Sequence, residues 1–173
     1  MQFDAVLLSP RRTESIARGY WYDRTINQEL DACLAECPDK LALTAVRVEA
    51  GEVRRFTYRE MATLADRIAV GLSRLGVGRN DVVAMQPPNW WHFSLLYLAC
   101  SRIGAVLNPL MPIFRERELS FMLKHAEAKV LVVPKRFGIS ITRRWRAVSS
   151  QNCRPSSALS SSRAVARMIS MLC

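Results

Sequence analysis

The chain has 173 residues, 50% hydrophobic and 23% charged, with a formal net charge of +10, which suits one globular domain, excludes a wholly disordered or fibrous polymer and is short for a two-domain enzyme. Six arginines and no acid fall between Gly138 and Cys173, so +6 of the charge sits there and only +4 on the rest, and no specific nucleic-acid partner is implied. Five cysteines form no even framework, residues 1–12 lack a signal-peptide pattern, and the longest apolar region, 94–114, is broken by Arg102, Asn108, Pro109 and Pro112, so a reduced cytoplasmic setting without a transmembrane segment is expected.

Residues 1–24 have no clean period and read as an extended arm. Thr25 or Asn27 can cap a helix through QELDACLAEC, whose Leu30, Cys33, Leu34 and Cys37 share one face until Pro38 and Asp39 end it. LALTAVRV alternates in strand fashion, Ala50-Gly51-Glu52 makes a turn and VRRFTY returns, which predicts a β-hairpin. Thr57 and Glu60 form a capping-box pattern at the start of a helix with Met61, Leu64, Ala65, Ile68, Leu72 and Leu75 on its apolar face, stopped by Gly76 and Gly78.

DVVAMQ is a short apolar strand of the kind a parallel sheet buries on both faces. After Pro87-Pro88, Asn89 is the expected N-cap of a buried helix, WWHFSLLYLACSRIG, closing at Gly104. AVLNPL, FRERELSFMLKHA and KVLVV follow as strand, helix and strand. The fold class is therefore α/β, with a βαβαβ parallel-sheet unit at about 81–133 and right-handed crossovers.

Few residues carry chemistry. Cys33 and Cys37, one helical turn apart, offer at most half of a tetrahedral zinc site and read as small core residues, so no metal site is expected. His92 and His125 lie at a helix start and a helix end and suit capping or surface roles, since no partner for base catalysis is placed beside them. Trp90 and Trp91 stand where α/β sheets bind ligands, beyond the carboxyl end of a strand; one facing a substrate pocket and one packed is the expectation. Arg115 and Arg117 in FRERE can meet a phosphate or line a solvated face, the latter being the reading preferred. No segment has the glycines and lysine of a phosphate-cradling loop, and SSALSSSR, residues 156–163, has serines alone, so no catalytic or cofactor-binding residue is assigned.

FTYREM, residues 56–61, and GLSRLGVGRNDVVAMQPPNWWHFSLLYLACSRIGAVLNPLMP, residues 71–112, resemble the adenylate-forming, AMP-binding acyl-CoA synthetases, most of all cyclohexanecarboxylate-CoA ligases. The first stretch is similar to the family's early T-Y-x-E-L motif, with Met61 in the last place. The second is similar to the later motif in which a helix ends in G-A before a strand and N-P. Pro87 departs from the family's usual Q-L-P-N-W, and a proline there threatens a ladder donor.

The resemblance covers about residues 3–137 and implies the N-terminal subdomain of the adenylate-forming fold, here incomplete. For the full-length family it implies activation of a small carboxylic acid by ATP with magnesium, then acyl transfer to coenzyme A. The family's phosphate loop, adenine and ribose contacts and mobile-domain lysine have no counterpart in these residues, so the chain is expected to be an inactive fragment. The alternative is a non-enzymatic small-ligand or acyl-binding module with a basic tail. Residues 138–173, with nine serines and six arginines, read as a disordered tail of frameshifted composition, giving domains of 1–137 and 138–173.

Overall fold

The computed structural model describes residues 9–22 and 24–134, so the tail expected over 138–173 lies outside the described residues. The arm expected to be extended over residues 1–24 is helical over Ser9–Ala17 (α1). Pro10 sits in the first turn, where no amide donor is needed, and Arg18 pairs with Glu14 at 2.6 Å just past the last turn. These local terms outweigh the missing apolar period that pointed to an arm.

Helix α2, Ile26–Glu36, starts at Thr25, not Asn27. The Thr25 hydroxyl accepts from the Gln28 amide, and the Gln28 side chain accepts from the Thr25 amide at 2.7 Å. Strands β1, Leu41–Arg47, and β2, Glu52–Thr57, pair antiparallel around a short 3-10 turn closed by Gly51 at φ +61°. Helix α3, Tyr58–Arg74, opens on the expected capping box of Thr57 and Glu60. It buries Met61, Ala62, Ala65, Ile68, Ala69 and Leu72, so two alanines deepen the face read from the larger residues.

Strand β3, Val82–Met85, lies between β4, Val106–Pro109, and β5, Ala128–Val132, all parallel. Helix α4, Trp91–Arg102, connects β3 to β4, and α5, Glu116–His125, connects β4 to β5. All four β3 residues are buried, as expected of a central parallel strand, whereas β4 is half-exposed. Val83, Met85, Val130 and Val132 join one apolar cluster with α3 and α4. Val82, Ala84, Ala128 and Leu131 join a second cluster with Leu119 and Leu123 of α5 on the other face.

Pro87 costs the ladder nothing visible, because β3 ends at Met85 and the Gln86 amide makes the last bond toward β5, to the Val132 carbonyl at 2.9 Å. Gln86 is fully buried. Its Nε2 donates to the Met111 carbonyl at 2.6 Å and the Phe114 carbonyl at 3.1 Å, which pins the loop after β4 to the carboxyl end of β3.

Four α-helices end on a left-handed residue, which in α1 is Gly19 (φ +70°), with Tyr20 N bonded to Ser15 O and Gly19 N to Ile16 O. In α3 and α4 it is Gly76 (φ +78°) and Gly104 (φ +68°), and each ending carries the paired hydrogen bonds of a Schellman motif: Val77 N to Leu72 O with Gly76 N to Ser73 O, and Ala105 N to Cys100 O with Gly104 N to Ser101 O. A Cβ on Gly104 would also stand 3.3 Å from Arg79 Cγ. In α5 the same place is taken by Glu127, at φ +50°.

Two polar clusters join distant segments. Arg102, at the end of α4, pairs with Asp31 of α2 and, at 3.2 Å, with Asp66 of α3, while Asn27 Nδ2 donates to Ser101 Oγ at 2.9 Å. At the amino end of the sheet Lys129 Nζ donates to Asp81 at 2.8 Å and to the Gly76 carbonyl at 2.5 Å, and the Gly78 amide donates to the same Asp81 oxygen at 2.8 Å. Partial burial alone would raise the Asp81 pKa, but the Lys129 and Gly78 hydrogen bonds and the Lys129 charge outweigh it and hold the carboxyl below its ordinary value.

Relief of the left-handed conformation at Glu127 should contribute about 0.5–1 kcal/mol, read as a higher urea midpoint for Glu127→Gly than for Glu127→Ala, both lacking the side chain, at unchanged m-value. Because the folded Asp81 pKa is depressed, its contribution is fully present above the unfolded value of 3.8 and is lost as pH falls through the folded value. Asp81→Asn should therefore lower the urea midpoint at neutral pH and flatten its fall between about pH 5 and pH 2; a parallel curve for the variant would contradict this.

Candidate functional site

The carboxyl end of β3 runs through Gln86, Pro87, Pro88 and Asn89 into the mouth of α4. The N-cap of α4 is Trp90, in extended backbone and without a capping side-chain hydrogen bond, rather than the expected Asn89. Two consecutive prolines restrict the approach, and the Trp90 amide turns back to the Pro88 carbonyl at 2.7 Å, which moves the first helical residue to Trp91.

This shift places both indoles and the His92 imidazole in one half-buried group. The His92 ring stacks on Trp91 at 3.7 Å between centroids and stands 6.0 Å from Trp90. Trp91 also meets Phe56 of β2 at 5.2 Å and packs against the first apolar cluster. Trp91 is thus the more inward of the two indoles, and Trp90 lies nearer the hairpin turn.

The hairpin supplies the facing wall. In its register Arg47 is opposite Glu52, Ala45 opposite Arg54 and Leu43 opposite Phe56, so these six side chains share one face. Along it the Arg54 guanidinium lies 5.4 Å from the Trp91 ring centroid and the Arg47 guanidinium 4.2 Å from that of Trp90. Glu52 pairs with Arg54 at 2.5 Å and approaches Arg47 only to 3.9 Å. The Arg47 Nε is buried without an acceptor. Arg47 and Arg54 were not legible as site residues: alternation gives the face they share, but nothing local says that this face docks on a helix mouth some forty residues away.

The other sequence candidates lie apart from this group. His125 ends α5, exposed, with its ring 5.7 Å from that of Phe121. Arg115 is the N-cap of α5; its amide donates to Glu118 at 2.9 Å, and Arg115 and Arg117 are both exposed. Cys33 and Cys37 are half-buried on α2. A hydrogen bond with Cys33 is the main reason the Tyr58 hydroxyl has a raised pKa. Cys100 is buried in α4, and desolvation pushes its thiol up to about 12, which leaves it unreactive at neutral pH.

The described residues do not fit ATP or magnesium. No group of three or more His, Cys, Asp or Glu among them can hold a metal ion, and none of their glycines lies in a lysine-bearing phosphate loop. No helix among them is long and apolar enough to cross a membrane.

A profile of the AMP-binding enzyme family matches residues 30–169, past residue 137 where the composition changes. The chain is 35% identical over 118 residues to the 2-hydroxy-7-methoxy-5-methyl-1-naphthoate–CoA ligase of Streptomyces carzinostaticus, covering 68% of this chain and 20% of that one. It is 32% identical over 127 residues to the medium-chain fatty-acid–CoA ligase of Escherichia coli (strain K12), covering 73% and 22%. The chain thus spans about a fifth of the length of the curated relatives it matches. Among solved structures, apo MbtA of Mycobacterium smegmatis superposes with a TM-score of 0.67 at 26% identity, over 96% of this chain and 26% of that one. The N-terminal domain of FACL13 from Mycobacterium tuberculosis gives 0.55 at 30% identity, over 61% and 25%. With its parallel α/β sheet and these relatives, the chain belongs to the AMP-binding enzyme family and corresponds to the N-terminal region of its acyl- and aryl-CoA ligases.

Proposed function

We propose that the chain is part of an ATP-dependent acid–thiol ligase of the cytoplasm, converting a carboxylate, ATP and coenzyme A into an acyl-CoA, AMP and pyrophosphate, and that alone it does not turn over. Family membership over residues 30–169 carries the reading. Adenylation replaces a poor leaving group by AMP and requires two anions to be held face to face, a task for oriented donors and a metal ion. Nothing among the described residues provides that clamp. What they do provide is an aromatic wall, Trp90 and Trp91, at the carboxyl end of the central strand, where such sheets take their ligands.

The acid is proposed to be of medium chain or alicyclic, cyclohexanecarboxylate being the test case, with its apolar body against the indoles. A second reading, a small acyl-binding module without catalysis, draws on the same wall, since the aromatic group forms without any phosphate site. Purified chain with ATP, magnesium, coenzyme A and cyclohexanecarboxylate should release no pyrophosphate above the blank; sustained turnover would overturn the claim of inactivity. The same acid without ATP should raise the melting temperature in a concentration-dependent way, and ATP alone should not. Absence of any shift up to millimolar acid would count against the Trp90/Trp91 pocket.

A further inference from the structure

The hairpin face that covers Trp90 and Trp91 has more charge than packing requires. Arg47 and Arg54 are both about half exposed, at 42% and 52% of the side chain, yet their guanidinium carbons stand over indoles, 4.2 and 5.4 Å from the ring centroids. One carboxylate, Glu52, serves the two of them, and it is close only to Arg54. Arg47 keeps a buried Nε–H without an acceptor. A cation can afford such weak local compensation where its charge has work to do elsewhere, since a guanidinium half in solvent beside low-dielectric aromatic surface projects its field outward.

We infer that Arg47 and Arg54 are specificity residues of the aromatic mouth, holding Trp90 and Trp91 in place and leaving a net positive charge that admits carboxylate-bearing ligands and repels cations. The assignment rests on the reading of this mouth as the acid's pocket. The two roles are separable by chemistry. Clamping an indole uses the flat face of the guanidinium, while attraction of an anion uses only the charge, which lysine also has. The arginines touch no reacting atom in this scheme: they act on which ligand enters and on how the indoles stand.

The test uses the full chain carrying Trp21→Phe and Trp145→Phe, which leaves Trp90 and Trp91 as its only tryptophans. Fluorescence quenching by iodide and by caesium is compared at constant ionic strength, with neutral acrylamide as the measure of simple exposure. Each quenching constant is divided by that for free N-acetyltryptophanamide under the same conditions, and iodide should then quench at least about five-fold more effectively than caesium. Replacing both arginines by alanine should bring that ratio to about two or below, and replacing both by lysine should preserve it. Arg115→Ala with Arg117→Ala, on the helix covering the opposite sheet face, should leave it unchanged.

Glu52→Gln, which removes the shared carboxylate, should raise the ratio, and this variant decides the matter if the double alanine variant fails to fold. Equal quenching by the two ions in the reporter chain would overturn the assignment, as would a double alanine variant of unchanged far-ultraviolet dichroism and unchanged ratio. Cyclohexanecarboxylate should protect the indoles from iodide. If the ion ratio behaves as expected and no protection occurs, the pocket reading fails, and with it the specificity role, leaving the arginines as structural clamps.

Discussion

Parallel pairing on both sides of β3 is the constraint on which the rest of the described structure depends. Strands that run the same way cannot be joined by a tight turn, so each neighbour of Val82–Met85 must be reached by a crossover, and α4 and α5 are those crossovers. A strand buried at all four positions also needs apolar cover on both faces. Helices α3 and α4 cover one face and α5 the other, and the two clusters divide the odd and even residues of β3 between them. The parallel direction puts the ends of β3 and β4 together, so Gln86 can bind the Met111–Phe114 loop while the next residues turn into the mouth of α4.

Much of this was legible because it is encoded locally. Two capping boxes, at Thr25 and Thr57, and two left-handed glycines, Gly76 and Gly104, mark helix limits within a few residues of sequence. The alternation of β1 and β2 and the apolar runs of β3 and β5 needed no more than a short window. Even the family could be named from FTYREM and the 71–112 block.

What was missed has a common physical origin, competition between a local signal and a contact or rival close by. Asn89 has the better capping side chain, but two prolines and the turn at Pro88 give the position to Trp90. Glu127 occupies a place where glycine would be read, so the end of α5 at His125 was legible but its left-handed residue was not. Residues 9–17 lack an apolar period, yet a helix forms there, with a proline in the first turn, an ion pair and the left-handed Gly19 beyond its end. Arg47 and Arg54 become meaningful only when the hairpin is laid across α4, a tertiary fact.

The link between Arg102 and Asp31 has a bearing on the order of events in time. It spans 71 positions, and its partner helix α2 buries one residue, Leu30. Ion pairs this open to water contribute little, and closing so long a loop comes after the nearer contacts of the sheet have formed. Helix α2 is therefore expected to settle later than α3 and α4 and to open before them, by local detachment that leaves the β3 ladder intact. Its amides should then exchange with solvent through that detachment rather than through global unfolding, with Arg102 standing at the seam between α2 and the helices beneath it.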